Sequence, residues 1–600
     1  MPPAGSLVAG AQPHARLWAG RVALSVLIAV GLMLALCTSV IEADAQASRS
    51  RSRLPASVRA GDVVGQSALP VNVTIDPFDP GLPVPERFLG LSFEVAALGQ
   101  LAQYSERGDL VGLLRSLGPG VLRFGGITSD ENVAWTDAAT PRPAWASSVI
   151  GVAQLRAIGV LARRSGWQVL LTVGLAHYEP AAAAREVAAA HKALGPYLAA
   201  VEIGNEPNAY GSHGFRELPW IAQGYEEEVS SYREAIEALT PGVPIAGPDV
   251  SGSGVFGEWG EEEALSQRPV LLTGHHYPLG CAQTPAPSIE ALLSPATRGR
   301  EAQSLATYLS VSRMYGIPLR IDETNSVSCG GVAGISDTFA STLWATAYIT
   351  QAMAAGAAGI NLQGNPANCT GYTPLCTPDP TAVAEGALSA EPEWYALLLT
   401  RSLVGYRPLP TTISSASPPN LVAASFWGSG HSLKVVLVDD EPPGGSPLAL
   451  ALDVGAGMGE AHILRLTAPS QSATAGALLA GREVAADGSW HAPIQTESVA
   501  TRADMLALEL MPDSAALVTV NPPTPAPRRH QRATRPAPAD EALGHGRDDD
   551  ERLLCDRQLG GIEGCGSAAL DVGEQLEERI GGLEEADARR AVVHRHDPAR

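Results

Sequence analysis

The chain has 600 residues, with 63 Asp and Glu against 41 Lys and Arg, and a formal net charge of −22. Its length calls for two or three domains, and an apolar content of 45% supplies a sizeable core. The acidic balance excludes nucleic acid as a partner, because phosphate binding needs clustered Lys and Arg.

The N-terminus places Arg16 and Arg21 before an apolar run from Val22 to Leu36, followed by small residues at Ala43, Ala45 and Ala47. A charged flank, an apolar segment shorter than a bilayer span and an A-x-A site describe a secretory signal over residues 1–47. An uncleaved anchor is the alternative, and membrane contact is expected only through it. Either way the bulk of the chain is expected outside the cytosol. Residues 48–69, rich in Ser, Arg and Gly, read as a linker.

From Val71 onward, short apolar runs alternate with helical stretches. The strand candidates are "FLGLSFEV", "VLRFGG", "QVLLTVGL", "LAAVEIGNE", "PIAGPDV", "VLLTGHHYPL", "PLRIDETN" and "GINLQGN". They are apolar on both faces and end in Gly, polar or charged residues, as buried parallel strands do. Stretches such as "AAAAREVAAAHKAL" and "TFASTLWATAYITQAMAAG" supply helices between them. Eight strands alternating with helices predict an α/β fold, a (β/α)8 TIM barrel over 70–405, with a doubly wound open sheet as its rival.

After Tyr406 helical periodicity stops, and "LVAASFWGSGHSLKVVLVDD", "ALALDV", "AHILRLTA" and "MLALELMPDSAALVTV" predict a C-terminal β-sandwich over 406–521. The early segment "VNVTIDP" is expected to pair with that sheet. Residues 522–600 have no aromatic residue and little to bury, so disorder is expected.

In an exported chain the cysteines become interpretable. No C-x-x-C pair exists, which speaks against a structural zinc site. Cys369 and Cys376 bracket "TGYTPL", a loop short enough for a local disulfide; unpaired thiols are the alternative.

Among chemical motifs, "GSGVFG" follows a strand but leads into "EWGEEEAL", whose acids would repel a pyrophosphate. The G-x-S-x-G nucleophile elbow is absent. In "GHHYP", His275 and His276 must diverge on a strand, which suits positioning or structure better than metal binding. The carboxylates carry more. Glu206 in "VEIGNEPNAYG" ends the fourth strand candidate, and Glu323 in "PLRIDETNSVSCGG" ends the seventh. In a barrel both stand at the C-terminal rim, where active sites form. Two carboxylates about 5–5.5 Å apart suit retaining glycoside hydrolysis. An ordinary exposed Glu at a strand end is the bland reading of either one alone.

"LRFGGITSDENVAW", "VEIGNEPNAYG", "GHHYPL" and "IDETNSVSCGGVAGISDTFASTLWATAY" resemble glycoside hydrolase family 79, whose members include β-glucuronidases and heparanase-like enzymes. The resemblance runs from about Val71 to Val520. It implies that Glu206 is the acid/base, Glu323 the nucleophile, and Asn205 the partner of the sugar 2-hydroxyl. It further implies that Ser328, the backbone N–H of Gly330, Tyr277 and Tyr372 line the subsite for the sugar carboxylate. A secreted β-glucuronidase acting on a carbohydrate substrate is therefore expected, with no metal or organic cofactor, and with the charge of Glu323 raising the pKa of Glu206. The alternatives are a xylosidase, glucosidase or arabinofuranosidase of the same clan, and a non-catalytic carbohydrate-binding protein.

Overall fold

The computed structural model describes residues 68–523, except 378, 486–487 and 491–494. The expected signal or anchor, almost all of the linker and nearly all of the C-terminal tail lie outside the described residues. Among the described residues no helix is long and apolar enough to cross a membrane.

Eight parallel strands form the first layer: Leu89–Glu94, Val121–Gly125, Gln168–Val173, Leu198–Ile203, Ala246–Ser251, Leu271–His276, Leu319–Thr324 and Gly359–Gly364. Numbered one to eight, they lie side by side in the order four, three, two, one, eight, seven, six, five. The two ends of this series meet at a parallel bridge between Val201 and Ile245, where Val201 N–H donates to the Pro244 carbonyl at 2.9 Å. That contact closes the sheet into a barrel, and the open-sheet alternative falls away. Seven of the eight runs predicted from sequence contain one of these strands whole, and the fifth, ending at Val250, falls one residue short of its strand. Their apolar character on both faces has the expected cause: one face fills the barrel interior and the other packs on helices.

Helices follow the strands, among them Pro180–Leu194, Ala222–Leu239, Pro295–Tyr315 and Phe339–Ala355. Phe339–Ala355 is buried nearly all round. Such a helix needs apolar neighbours on every side, and it has them, since it touches both the barrel and the strands Leu421–Trp427 and Leu433–Asp439.

Two further sheets follow the barrel. One contains Leu69–Ile75, which pairs antiparallel with Thr411–Ser414 and parallel with Leu448–Asp453, itself paired with Met505–Leu510. The other is built on Leu421–Trp427, Leu433–Asp439, Ser514–Val520 and Ala461–Thr467. Val71 and Val73 of the first sheet share a core with Val435 and Val518 of the second, which makes the pair a sandwich.

Candidate active site

The interior of the barrel carries an unusual charge for a buried layer. Arg123, in the second strand, is fully buried. Its Nε lies 3.0 Å from Glu202 and 2.8 Å from Asp322, its Nη1 lies 2.8 Å from Glu323, and its Nη2 lies 2.8 Å from Asp249. One guanidinium thus faces four carboxyl groups from strands four, five and seven. A buried carboxylate is tolerated only when paired and hydrogen-bonded. Here the planar fork of Arg123 serves several at once.

Strict strand alternation would send Asp322 and Glu323 to opposite faces. The pairing register of the seventh strand slips on both sides, between Ile321 and Glu323 against the sixth strand and between Ile321 and Thr324 against the eighth. Irregularities of this kind re-aim side chains near active sites. As a result both acids reach Arg123. The fifth strand does the same between Pro248 and Val250, where Asp249 has φ of +58°.

Glu206 sits three residues beyond the fourth strand. Gly204 there has φ of +82°, and a Cβ would lie 2.6 Å from the Tyr210 hydroxyl, so glycine is required. Glu206 itself has φ of +46°, a left-handed conformation uncommon for a residue with a side chain. Backbone outliers of this kind cluster at functional sites. Asp130 holds the turn: its carboxylate accepts from the Asn205 N–H at 2.8 Å, the Tyr210 hydroxyl at 2.6 Å and the Leu175 N–H at 2.7 Å. The Asn205 side-chain oxygen accepts from Arg123 Nη2 at 3.0 Å, which turns its donor NH2 the other way.

His275, at the end of the sixth strand, joins the two acids. Its Nδ1 lies 2.9 Å from Glu206 Oε1 and its Nε2 lies 2.7 Å from Asp249 Oδ1. A carboxylate oxygen of Glu206, one of Glu323 and a ring nitrogen of His275 all lie within 4.8 Å of one another. Burial alone would favour neutral His275, but Glu323 and Asp249 outweigh it and hold the imidazole protonated well above its ordinary range. Burial likewise pushes Glu323 up, and His275⁺, Arg123 and the Tyr277 hydroxyl overcome this to hold it below the ordinary glutamate value. The Tyr277 hydroxyl donates to Glu323 Oε1 at 2.9 Å and meets the Tyr372 hydroxyl at 3.3 Å. Burial raises the pKa of both phenols, so they remain donors. A further carboxyl, Glu94, accepts from the N–H and hydroxyl of Thr128; burial and the charge of Glu323 raise its pKa.

The structure therefore brings together Asn205, Glu206, Tyr277, Glu323 and Tyr372. Ser328 and Gly330 lie in the adjoining loop. The Ser328 hydroxyl accepts from Cys281 N–H at 3.1 Å, and the Gly330 carbonyl accepts from Tyr372 N–H at 3.2 Å. Cys369 and Cys376 are disulfide-bonded, as their spacing led us to expect, and so are Cys281 and Cys329, which sequence spacing did not pair. Sequence reasoning left Arg123, Asp249 and Asp322 without a role. The visible signal was a lone Arg in the apolar run "VLRFGG" and an Asp preceding Glu323. Asp249, His275 and Asp322 also offer ligand atoms close enough together for a metal ion, but the guanidinium of Arg123 already meets both aspartates at 2.8 Å.

A closed parallel barrel with a β-sandwich, and two acids converging at its C-terminal mouth, is an architecture found among glycoside hydrolases. No protein-family model matches the chain. A β-glucuronidase of Aspergillus niger is 30% identical over 176 residues, 26% of this chain and 32% of that protein. The chain thus spans about a third of the length of the curated relative it matches. Among solved structures, the 4-O-α-L-rhamnosyl-β-D-glucuronidase of Fusarium oxysporum 12S superposes with a TM-score of 0.61 at 19% identity, covering 75% of this chain and 100% of that chain. The α-L-arabinofuranosidase of Thermotoga maritima does so with a TM-score of 0.55 at 15% identity, covering 75% of this chain and 99% of that chain. At these identities the two structures establish a common fold.

Proposed function

We propose that the protein is a retaining β-glycosidase of the family 79 type, acting on β-glucuronides. The observation that carries this reading is the approach of Glu206 and Glu323 to within 4.8 Å, with Glu323 alone held by Arg123 and Tyr277. A separation of about 5–5.5 Å accompanies retention, whereas inverting pairs stand about 6.5–9.5 Å apart to admit water.

Glu323, kept ionised by Arg123 and His275, attacks the anomeric carbon. Glu206, more exposed at the mouth, gives its proton to the glycosidic oxygen as that bond breaks. The carboxylate so created is met by the Nδ1–H of His275, a donor already in place where negative charge develops. Water, deprotonated by Glu206, then cleaves the glycosyl ester and restores both acids. Asn205, anchored through Arg123 and Asp130, presents its NH2 to the sugar.

The choice of a glucuronide rests on the donors beside the nucleophile. The Tyr372 hydroxyl, which stands beside the Tyr277 hydroxyl and takes a backbone hydrogen bond from Gly330, suits a sugar carboxylate. The likeness to the Aspergillus niger β-glucuronidase supports the same choice. The two disulfides support action in an oxidising compartment, consistent with an exported chain. Hydrolysis of a panel of nitrophenyl glycosides tests the reading. Activity on the β-glucuronide with retention at the anomeric centre is expected, and inactivity on every member would overturn it.

A further inference from the structure

Three loops leaving strands six, seven and eight are tied in series. The first, 277–281, carries Tyr277; the second, 325–331, carries Ser328 and Gly330; the third, 365–376, carries Tyr372. Between the first two, Ser328 N–H donates to the Leu279 carbonyl at 3.0 Å and Cys281 N–H donates to the Ser328 hydroxyl at 3.1 Å, beside the Cys281–Cys329 disulfide. Between the second and third, Tyr372 N–H donates to the Gly330 carbonyl. A Cβ on Gly371 would lie 2.3 Å from that carbonyl, so the two loops touch at their backbones. The series ends where it began, with the Tyr277 and Tyr372 hydroxyls 3.3 Å apart and Tyr277 on Glu323.

On the functional reading proposed above, we infer that the Cys281–Cys329 disulfide is a positioning element of the sugar pocket, fixing through the loops it joins where Tyr277 meets Glu323. Hydrogen bonds weaken steeply with misalignment, and Tyr277 stands only four residues from Cys281. Facing Glu323 are Arg123 from strand two, His275 and Tyr277 from strand six and its loop, Tyr372 from the loop after strand eight, and the acids Glu94 and Glu206. Arg123 and His275 sit on barrel strands and stay in place when the loops loosen. Tyr277 does not, and the anion it stabilises then takes up its proton at higher pH.

The bond is also the more accessible of the two: Cys329 is exposed and Cys281 half-buried, whereas Cys369 is half-buried and Cys376 buried. A water-soluble phosphine under native conditions, followed by alkylation, opens Cys281–Cys329 selectively, and the Cys281→Ser/Cys329→Ser variant provides the same state genetically. Expected are a roughly tenfold fall in kcat/KM on nitrophenyl β-glucuronide, an acid limb displaced to higher pH, and a thermal midpoint changed by only a few degrees. In a Tyr277→Phe background, opening the bond should move the acid limb no further. Difference infrared spectroscopy, isolating the carboxylate band lost in Glu323→Gln, follows the titration without turnover. An unmoved midpoint for that band, or a displacement that adds fully to that of Tyr277→Phe, would overturn the inference. A wild-type protein inactive on every glycoside would instead overturn the glycosidase reading, and the infrared midpoint would still decide the role of the disulfide.

Discussion

His275 bridges Glu206 and Asp249, its Nδ1 2.9 Å from one carboxylate and its Nε2 2.7 Å from the other. Doubly donating imidazolium fits this geometry, because each nitrogen then has an acceptor. His275→Gln should therefore lower kcat/KM by roughly tenfold to a hundredfold, the worth of one charge-assisted hydrogen bond. The loss should be greatest for glycosides with poor leaving groups, where Glu206 must carry the most charge in the transition state. A loss equal across leaving groups would reduce His275 to a structural residue.

Glu206 is tested directly by Glu206→Ala. Proton transfer by a positioned acid contributes roughly 10²–10⁴-fold, and that factor should be missing for alkyl glycosides but largely retained for an activated nitrophenyl glycoside. Azide, occupying the vacated space, should partly restore turnover and give a β-glycosyl azide. An α-glycosyl azide would indicate inversion and defeat the retaining assignment.

Glu323 should be the residue that bears the covalent sugar. Glu323→Gln is expected to fold and to be nearly inactive, and a fluorosugar inactivator should label a peptide containing Glu323 in the wild type. Its ionisation has a pH signature. With its pKa held below the ordinary glutamate value by His275 and Arg123, the group is anionic above that lowered value and is protonated only as the pH falls through it. The acid limb of kcat/KM should lie correspondingly low and rise in Arg123→Lys, which cannot reproduce the fork. An acid limb that did not respond would separate Arg123 from the nucleophile.

Much of this was legible before the structure. All eight barrel strands announced themselves because a strand buried on both faces is a short apolar run with a polar end, and Glu206 and Glu323 are such ends. What was not legible follows from irregular backbone. Asp249 faces Arg123 where the pairing register slips beside it, and a slip after Ile321 lets the adjacent Asp322 and Glu323 both reach Arg123, which a period-two reading does not anticipate. Arg123 carried no role in the sequence reading; its meaning came from acids on three other strands, separated from it in sequence by 79 to 200 residues. The Cys281–Cys329 bond was hidden for a related reason, since the loops it joins become neighbours only once strands six and seven pair.

Stability offers a prediction apart from catalysis. Glu186 is buried on the helix Pro180–Leu194, in a small cavity that it lines with Trp135 and Trp145, and burial pushes its carboxyl up to about 8. The native state therefore binds a proton that the unfolded chain releases near the ordinary glutamate value. Its contribution to stability is fully present below that unfolded value and is lost as the pH rises through about 8. Glu186→Gln, neutral at every pH, should leave the thermal midpoint unchanged near pH 4 and raise it at pH 8. Equal midpoints at pH 8 would show that Glu186 is solvated or paired in the folded protein.

Substrate choice gives the last prediction. A glucuronide places a carboxylate where a glucoside has a hydroxymethyl group, and burying that anion near Glu94 and Glu323 is costly unless donors meet it. Tyr372 is the donor best placed to do so: its ring stacks on that of Tyr277 with centroids 5.9 Å apart, and its hydroxyl reaches the Tyr277 hydroxyl beside the nucleophile. Its N–H is engaged by Gly330, so the loop holding it is fixed from the other side. A charge-assisted hydrogen bond contributes roughly 1.5–3 kcal/mol. Tyr372→Phe should then cut kcat/KM on nitrophenyl β-glucuronide by about tenfold to a hundredfold, while the slower rate on the matched β-glucoside stays almost unchanged. The wild type should prefer the glucuronide over both the glucoside and the xyloside. If the neutral sugars were preferred, the glucuronide assignment would fall, and the retaining chemistry of Glu206 and Glu323 would have to be assigned to a neutral β-glycoside.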